Sequence, residues 1–216
     1  MANRNHQFAT GEYYHIYTRG NSKQDVFLDQ QDYIIFQQLL YLMNMEKRTT
    51  LREVGQNPYS YSRDTRLVSV GVYCIMPNHV HILVKQTTEK GVSKFMQKVL
   101  TGYVMYFNKK YKRTGGLFEG TFKSKHAGED SYLKHLYAYI HLNPLKLINP
   151  EWKNKIAQKA SVDYASIFNY DFSSMSDYLG SQREQGGILN KEDFPHYFTS
   201  AKDFQSHVGS YFIIDR

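Results

Sequence analysis

Hydrophobic and polar positions change period several times along the chain, and each change marks an element. Tyr13 to Arg19 (Tyr-Tyr-His-Ile-Tyr-Thr-Arg) predicts a first strand, ended by Gly20-Asn21. After Asp29, the residues Tyr33, Ile34, Phe36, Leu39, Leu40 and Met43 recur at helical spacings of three and four. Asp29 or Asp32 is placed to cap that helix. Glu46 to Arg66 is polar and long for a loop in a compact domain. Leu67 to Met76, rich in Val, Ile and Tyr, predicts a second strand; Pro77-Asn78 punctuates, and His79 to Val84 predicts a third.

From Gly91 onward, Val92, Phe95, Met96, Val99, Tyr103, Tyr106, Phe107 and Tyr111 form one stripe of a second helix, stopped by Thr114-Gly115-Gly116. Leu117 to His126 predicts a further strand with Lys123 and Lys125 on one face. Asp130 is placed to cap a third helix running to about Asn143, because Pro144 biases the residue before it away from helical geometry. Leu133, Leu136, Tyr137 and Ile140 supply its core face, while Tyr132, His135, Tyr139 and Asn143 form a second, polar-aromatic stripe. Residues 151–216 are less regular and are expected to pack as an extension on a main domain of residues 12–150. Strand, helix, strand, strand, helix, strand is an order that suits an α+β, ferredoxin-like antiparallel sheet with its helices on one face.

Composition narrows the partners. With 216 residues, 41% hydrophobic and 22% charged, the chain is long enough to bury a core. One cysteine, Cys74, precludes a disulfide framework within the chain, so a reducing cytoplasm is the expected compartment. No apolar run approaches the ~20 residues of a membrane span, and the polar start predicts no signal peptide. The formal charge of +7 is concentrated. Between Lys85 and Lys125 ten basic residues face only Glu89 and Glu119, giving +8 there and −1 elsewhere. Such a focus points to a polyanion, although Lys-rich helix faces are also common as merely solvated surfaces.

The candidate chemistry sits on the third strand. Alternate side chains of a strand share a face, so His79 and His81 point the same way, opposite Val80, Ile82 and Val84. Two adjacent imidazoles make half of a metal site. Nine histidines in the chain can also place two at this spacing by chance. Tyr139 and Asn143 are four apart on the third helix and therefore neighbours. If that helix lies over the histidine face, the two imidazoles, an amide oxygen and a phenol suit metal-assisted phosphodiester cleavage, with tyrosine as nucleophile. A phenol with a pKa near ~10 needs help from a cation, a lysine or a base such as His135. Among 19 tyrosines, Tyr139 is equally open to a plain core role.

Met-Pro-Asn-His-Val-His at 76–81 with Tyr-Ile-His-Leu-Asn-Pro at 139–144 resembles the single-tyrosine HUH transposases, in particular the REP-associated tyrosine transposases. Tyr-Thr-Arg-Gly-Asn at 17–21 and Gly-Leu-Phe-Glu-Gly-Thr-Phe-Lys-Ser at 116–124 look like the same family. The resemblance spans roughly residues 12–150. It implies an HUH nuclease fold acting on single-stranded or hairpin DNA with Mg²⁺ or Mn²⁺. His79, His81 and Asn143 become the expected metal ligands and Tyr139 the nucleophile, forming a 5′-phosphotyrosine. Lys123 and Lys125 become the expected contacts to the DNA backbone; Arg19 and, from the basic face of the second helix, Lys94 and Lys98 are further expected DNA contacts. The polar insertion at 46–66 is longer than usual for the family. Relatives include dimers that exchange the tyrosine helix, so monomer and homodimer both stay open. Two other readings compete: a domesticated protein that binds structured single-stranded DNA or RNA without cutting it, and a metal hydrolase of small substrates, which leaves the +8 window unexplained.

Overall fold

The computed structural model describes residues 7–148 and 165–211. Residues 149–164 and 212–216, which take in much of the expected extension, lie outside the described residues. Strands β1 (Tyr13–Arg19), β2 (Val68–Met76), β3 (His79–Gln86) and β4 (Lys123–His126) form a sheet in the order β2-β3-β1-β4, with every neighbour antiparallel. The helices are α1 (Gln30–Leu42), α2 (Leu51–Val54), α3 (Gly91–Lys110), α4 (Asp130–His141), α5 (Leu145–Ile148), α6 (Ala165–Phe168), α7 (Met175–Tyr178) and α8 (Ala201–Ser210). With α1 after β1 and α3 after β3, the arrangement is the expected ferredoxin-like α+β fold.

α1 starts where the sequence predicts. Asp29 caps it, and the Asp32 carboxylate accepts in return from the Asp29 backbone N–H, a reciprocal capping box. Its apolar stripe and that of α3 cover one sheet face through Ile16, Phe36, Leu40, Val80, Phe95, Val99 and Tyr103, all buried. The expectation that helices occupy one face only is incomplete. Val72, Cys74, Met76 and Leu83 make the opposite face of β2 and β3 apolar as well, and it too must be covered. The cover is α4, through Leu133, Leu136 and Ile140, backed by Ile167, Met175, Phe204 and Val208 from α6, α7 and α8. The outer edge of β2 is closed by the chain at 172–174. The Ile75 N–H donates to the Phe172 carbonyl at 2.9 Å and the Ser174 N–H to the Tyr73 carbonyl at 3.0 Å.

Two elements are shorter than predicted. The fourth strand begins only at Lys123, because Leu117, Phe118 and Phe122 all turn into the first core instead of alternating, and Gly120 (φ 69°) breaks the extended path. α4 begins at Asp130 with Glu129, not Asp130, at the cap position, and it ends at His141. Asn143 therefore lies in the turn beyond the helix. Its side-chain amide folds back to donate to the carbonyls of Tyr139 (3.0 Å) and Ile140 (3.3 Å), satisfying acceptors left open at the helix end.

Candidate active site

The turn between β2 and β3 is held from outside. Gly20 donates to the Asn78 carbonyl, and Val26 and Phe27 both donate to that of Pro77. A side chain at Gly20 would collide with the Gln24 carbonyl and with Val26, so the close approach requires glycine. Ser22 and Lys23 adopt positive φ (53° and 62°), uncommon for such residues, and this turns the Lys23 carbonyl towards Asn78. Asn78 Nδ2 donates to that carbonyl at 3.0 Å. Its Oδ1 then faces His79 Nδ1 at 2.6 Å. Since the amide oxygen only accepts, Nδ1 carries the imidazole proton and Nε2 is left with a free lone pair. His79 Nε2 is buried and has no hydrogen-bond partner.

His81 lies beside it, with ring centroids 5.1 Å apart and planes perpendicular. Both rings are 8% exposed. Burial, reinforced by Lys146 and Arg19, pushes the His79 pKa down to about 4. Burial and the neighbouring His15 and His79 hold His81 well below its ordinary value. Both are neutral at pH 7 and able to donate lone pairs to a cation. The Asn143 side chain acts against this shift, raising the His79 pKa, and its amide oxygen accepts from Lys146 Nζ at 3.2 Å. An orphaned, buried ring nitrogen beside a second imidazole and an amide oxygen fits a divalent ion. Among the described residues no group of three His, Cys, Asp or Glu side chains forms a metal cluster, so the fit rests on this mixed nitrogen and oxygen set.

α4 sets the opposite wall. Tyr139, 36% exposed, brings its ring 5.7 Å from that of His81 and 5.8 Å from that of His15. The His135 ring is 5.8 Å from Tyr139, one helical turn earlier. Burial and Lys125 depress the His135 pKa, so it too is neutral near pH 7. These residues line a cleft of about 350 Å³ whose rim carries Arg19, Lys125 and Lys146. A smaller cavity of about 100 Å³ opens on His79 and His81 from the side of Glu119, Thr121 and Lys123. Register explains the convergence: Arg19 pairs with His79, Tyr17 with both His81 and Lys123, and His15 with Lys125. Lys125 Nζ stands 4.0 Å over the Tyr132 ring, leaving a flat aromatic surface beside a cation.

The structure thus brings together His79, His81, Asn143, Tyr139, Arg19, Lys123 and Lys125. It does not bring Lys94 and Lys98 to this site. Both lie on α3, across the sheet. Lys94 Nζ pairs with the Glu46 carboxylate at 2.9 Å, and Lys98 Nζ donates to the carbonyls of Met45 and Lys47. The sequence reading overlooked His15, Asn78, Glu119 and Lys146. Only His15 carried a readable signal, since it alternates with Tyr17 and Arg19 on β1.

Comparison with known proteins gives a family and a fold. The family profile described as "Transposase IS200 like" matches residues 10–143. Among solved structures, a REP-associated tyrosine transposase bound to a REP hairpin superposes with a TM-score of 0.55 at 11% identity, covering 90% of this chain and 92% of that one. That likeness shows the fold. The tRNA(His) guanylyltransferase from Saccharomyces cerevisiae aligns over 98% of this chain and 82% of its own at 9% identity, with a TM-score of 0.41, too slight to define a shared architecture. No curated protein matches the chain.

Proposed function

Because the chain belongs to the IS200-like transposase family, we propose that it cuts and rejoins single-stranded DNA through Tyr139. The observation that carries this reading is the position of Tyr139 against the buried His81 ring across a cleft rimmed by cations. In this reaction Tyr139 Oη attacks a phosphorus of the strand. The new O–P bond replaces the bond to the 3′ oxygen, which leaves as a free 3′-OH, and the 5′ side stays on the protein as phosphotyrosine. Neutral His135, its ring 5.8 Å from that of Tyr139 and outside the ligand set, is the base for the phenol proton. Arg19, Lys123 and Lys125 hold the flanking phosphates. The ester keeps the energy of the diester, so a second 3′-OH can reverse the step and join strands.

His79, His81 and Asn143 would hold Mg²⁺ or Mn²⁺. When bound, the ion supplies Lewis-acid polarisation of the phosphate and neutralises charge developing on it. Tyr139 faces the histidines of its own chain, which supports a site complete in one subunit without exchange in a homodimer. Residues 12–150 form the catalytic unit in this reading, and the described part of 151–216 braces α4 from behind. The hairpin carried by the REP-associated relative makes hairpin DNA the substrate of choice. No described helix is long and apolar enough to cross a membrane. A DNA substrate and an unpaired buried thiol suit a reducing, cytoplasmic setting.

The test is a denaturing gel with 5′- and 3′-labelled hairpins in Mg²⁺, Mn²⁺ or EDTA. A metal-dependent adduct carrying the DNA downstream of the cut is expected, and Tyr139→Phe abolishes it while binding stays within a few-fold. Tight binding with no adduct on any hairpin would instead identify a non-cutting DNA- or RNA-binding protein.

A further inference from the structure

We propose that His15 is a positioning residue that fixes the tautomer of His81 and so presents His81 Nε2, with its lone pair free, to the cation. The inference rests on the cation reading above and concerns a residue outside the ligand set. His15 is 5% exposed on β1, diagonal to His81 on β3. His15 Nε2 and His81 Nδ1 are 2.8 Å apart, and the rings are nearly parallel at 5.0 Å. Two neutral imidazoles at that distance share one proton between the facing nitrogens, so the bond has two possible directions. If His15 donates, His81 Nδ1 is the acceptor and its proton sits on Nε2, which cannot then bind a metal. If His81 Nδ1–H donates to His15 Nε2, His81 Nε2 is bare.

The partner ligand already has this second arrangement. The chain Lys23 carbonyl, Asn78 amide, His79 Nδ1–H leaves His79 Nε2 bare. A two-histidine site needs an unprotonated nitrogen on each ring facing the cation, and His15 is the acceptor that leaves one on His81. Asn78 and His15 therefore act as a pair, one outer hydrogen bond for each imidazole. Outer partners of this kind usually contribute 10–100-fold to metal affinity. A neutral imidazole in that place orients His81 without adding negative charge under a phosphate-binding cleft. His15 also stands edge-on to Tyr139, so the residue that sets the metal-facing nitrogen also abuts the nucleophile.

Two measurements test this. Long-range ¹⁵N–¹H spectra of the metal-free, wild-type protein at neutral pH read the tautomer directly. A proton on His81 Nδ1 with a bare Nε2 is expected, and a proton on Nε2 overturns the proposal without reference to folding of any variant. Mn²⁺ affinity of the DNA-free protein is then compared for wild type, His15→Phe and His15→Gln. Phe keeps a ring but cannot accept, so affinity should fall ~10–100-fold. Gln restores an acceptor oxygen and should recover most of that loss. Equal affinity in wild type and His15→Phe, or equal weakness of Phe and Gln, refutes the positioning role. Failure of the wild type itself to bind Mn²⁺ refutes the cation reading instead.

Discussion

At Tyr139 a partly exposed phenol meets two imidazoles that are almost closed to water, and the two environments make different demands on mutation. Removing only the Tyr139 hydroxyl disturbs no buried contact, so Tyr139→Phe should change stability by no more than about 0.5 kcal/mol while losing the covalent adduct entirely. Urea unfolding beside the adduct gel checks both halves. The histidines behave oppositely. Burial lowers His15 and His79 to about 4, so the folded state takes up their protons only near that pH. The unfolded chain takes them up near ~6.5. Between these values the unfolded state binds more protons, and stability therefore falls as pH falls. At pH 5 each of the two should cost about 2 kcal/mol relative to pH 7.5. Denaturant midpoints at the two pH values measure it, and a flat profile would mean that the rings are not held neutral. His79, His81 and Tyr139 were legible in the sequence because strand and helix periods are local. For His15 the alternation with Tyr17 and Arg19 gave its face but not its partner, which is fixed by how β1 registers on β3, and nothing within either strand states that register.

At the scale of elements, the nucleophile is only as well placed as α4. Its inner side rests on β2 and β3 through Leu133, Leu136 and Ile140, and Phe204 and Val208 of α8 pack into the same core, all buried. His141 ties the helix to the 172–174 segment. One ring nitrogen bonds the Tyr137 carbonyl at 2.8 Å and the other the Ser174 hydroxyl at 2.7 Å. Phe204 is fully buried and stacks on Tyr178 at 4.8 Å. Phe204→Ala should therefore cost about 3–5 kcal/mol. Hydrogen exchange should localise the loosening to α4 and α8 and spare α1 and α3, which lie across the sheet. Uniform loss of protection would show that the two cores act as one unit. The sequence predicted α4 and its buried stripe well, since Leu and Ile at helical spacing need no distant partner. It extended the helix over Asn143 and began β4 at Leu117. The helix end is set locally, by the Asn143 amide turning back onto the carbonyls of Tyr139 and Ile140, whereas the strand start is set by tertiary contacts, three apolar side chains drawn together into the first core.

Across the whole molecule the sheet divides what the sequence joins. The basic window between Lys85 and Lys125 is continuous in sequence, yet its α3 lysines lie on the face opposite the cleft. Several of them are committed: Lys94 to Glu46, Lys98 to two carbonyls, and Lys110 to Asp29 and Asp32 at 2.7 Å each. Lys123 and Lys125 reach the cleft instead because β4 pairs with β1, placing them opposite Tyr17 and His15. Linear charge density reports composition, whereas binding depends on which side of the sheet each cation occupies. Affinity for a single-stranded hairpin tail should thus fall steeply with salt, as phosphate contacts release counterions. Lys123→Ala and Lys125→Ala should each weaken binding and flatten the slope of log K against log salt by about 0.7 to 1. Lys94→Ala and Lys98→Ala should leave both affinity and slope unchanged. Filter-binding titrations at several salt concentrations measure all four. Loss of affinity in the α3 variants equal to that in the β4 variants would mean that DNA wraps the sheet to its far face, and that the cleft is one end of a longer path.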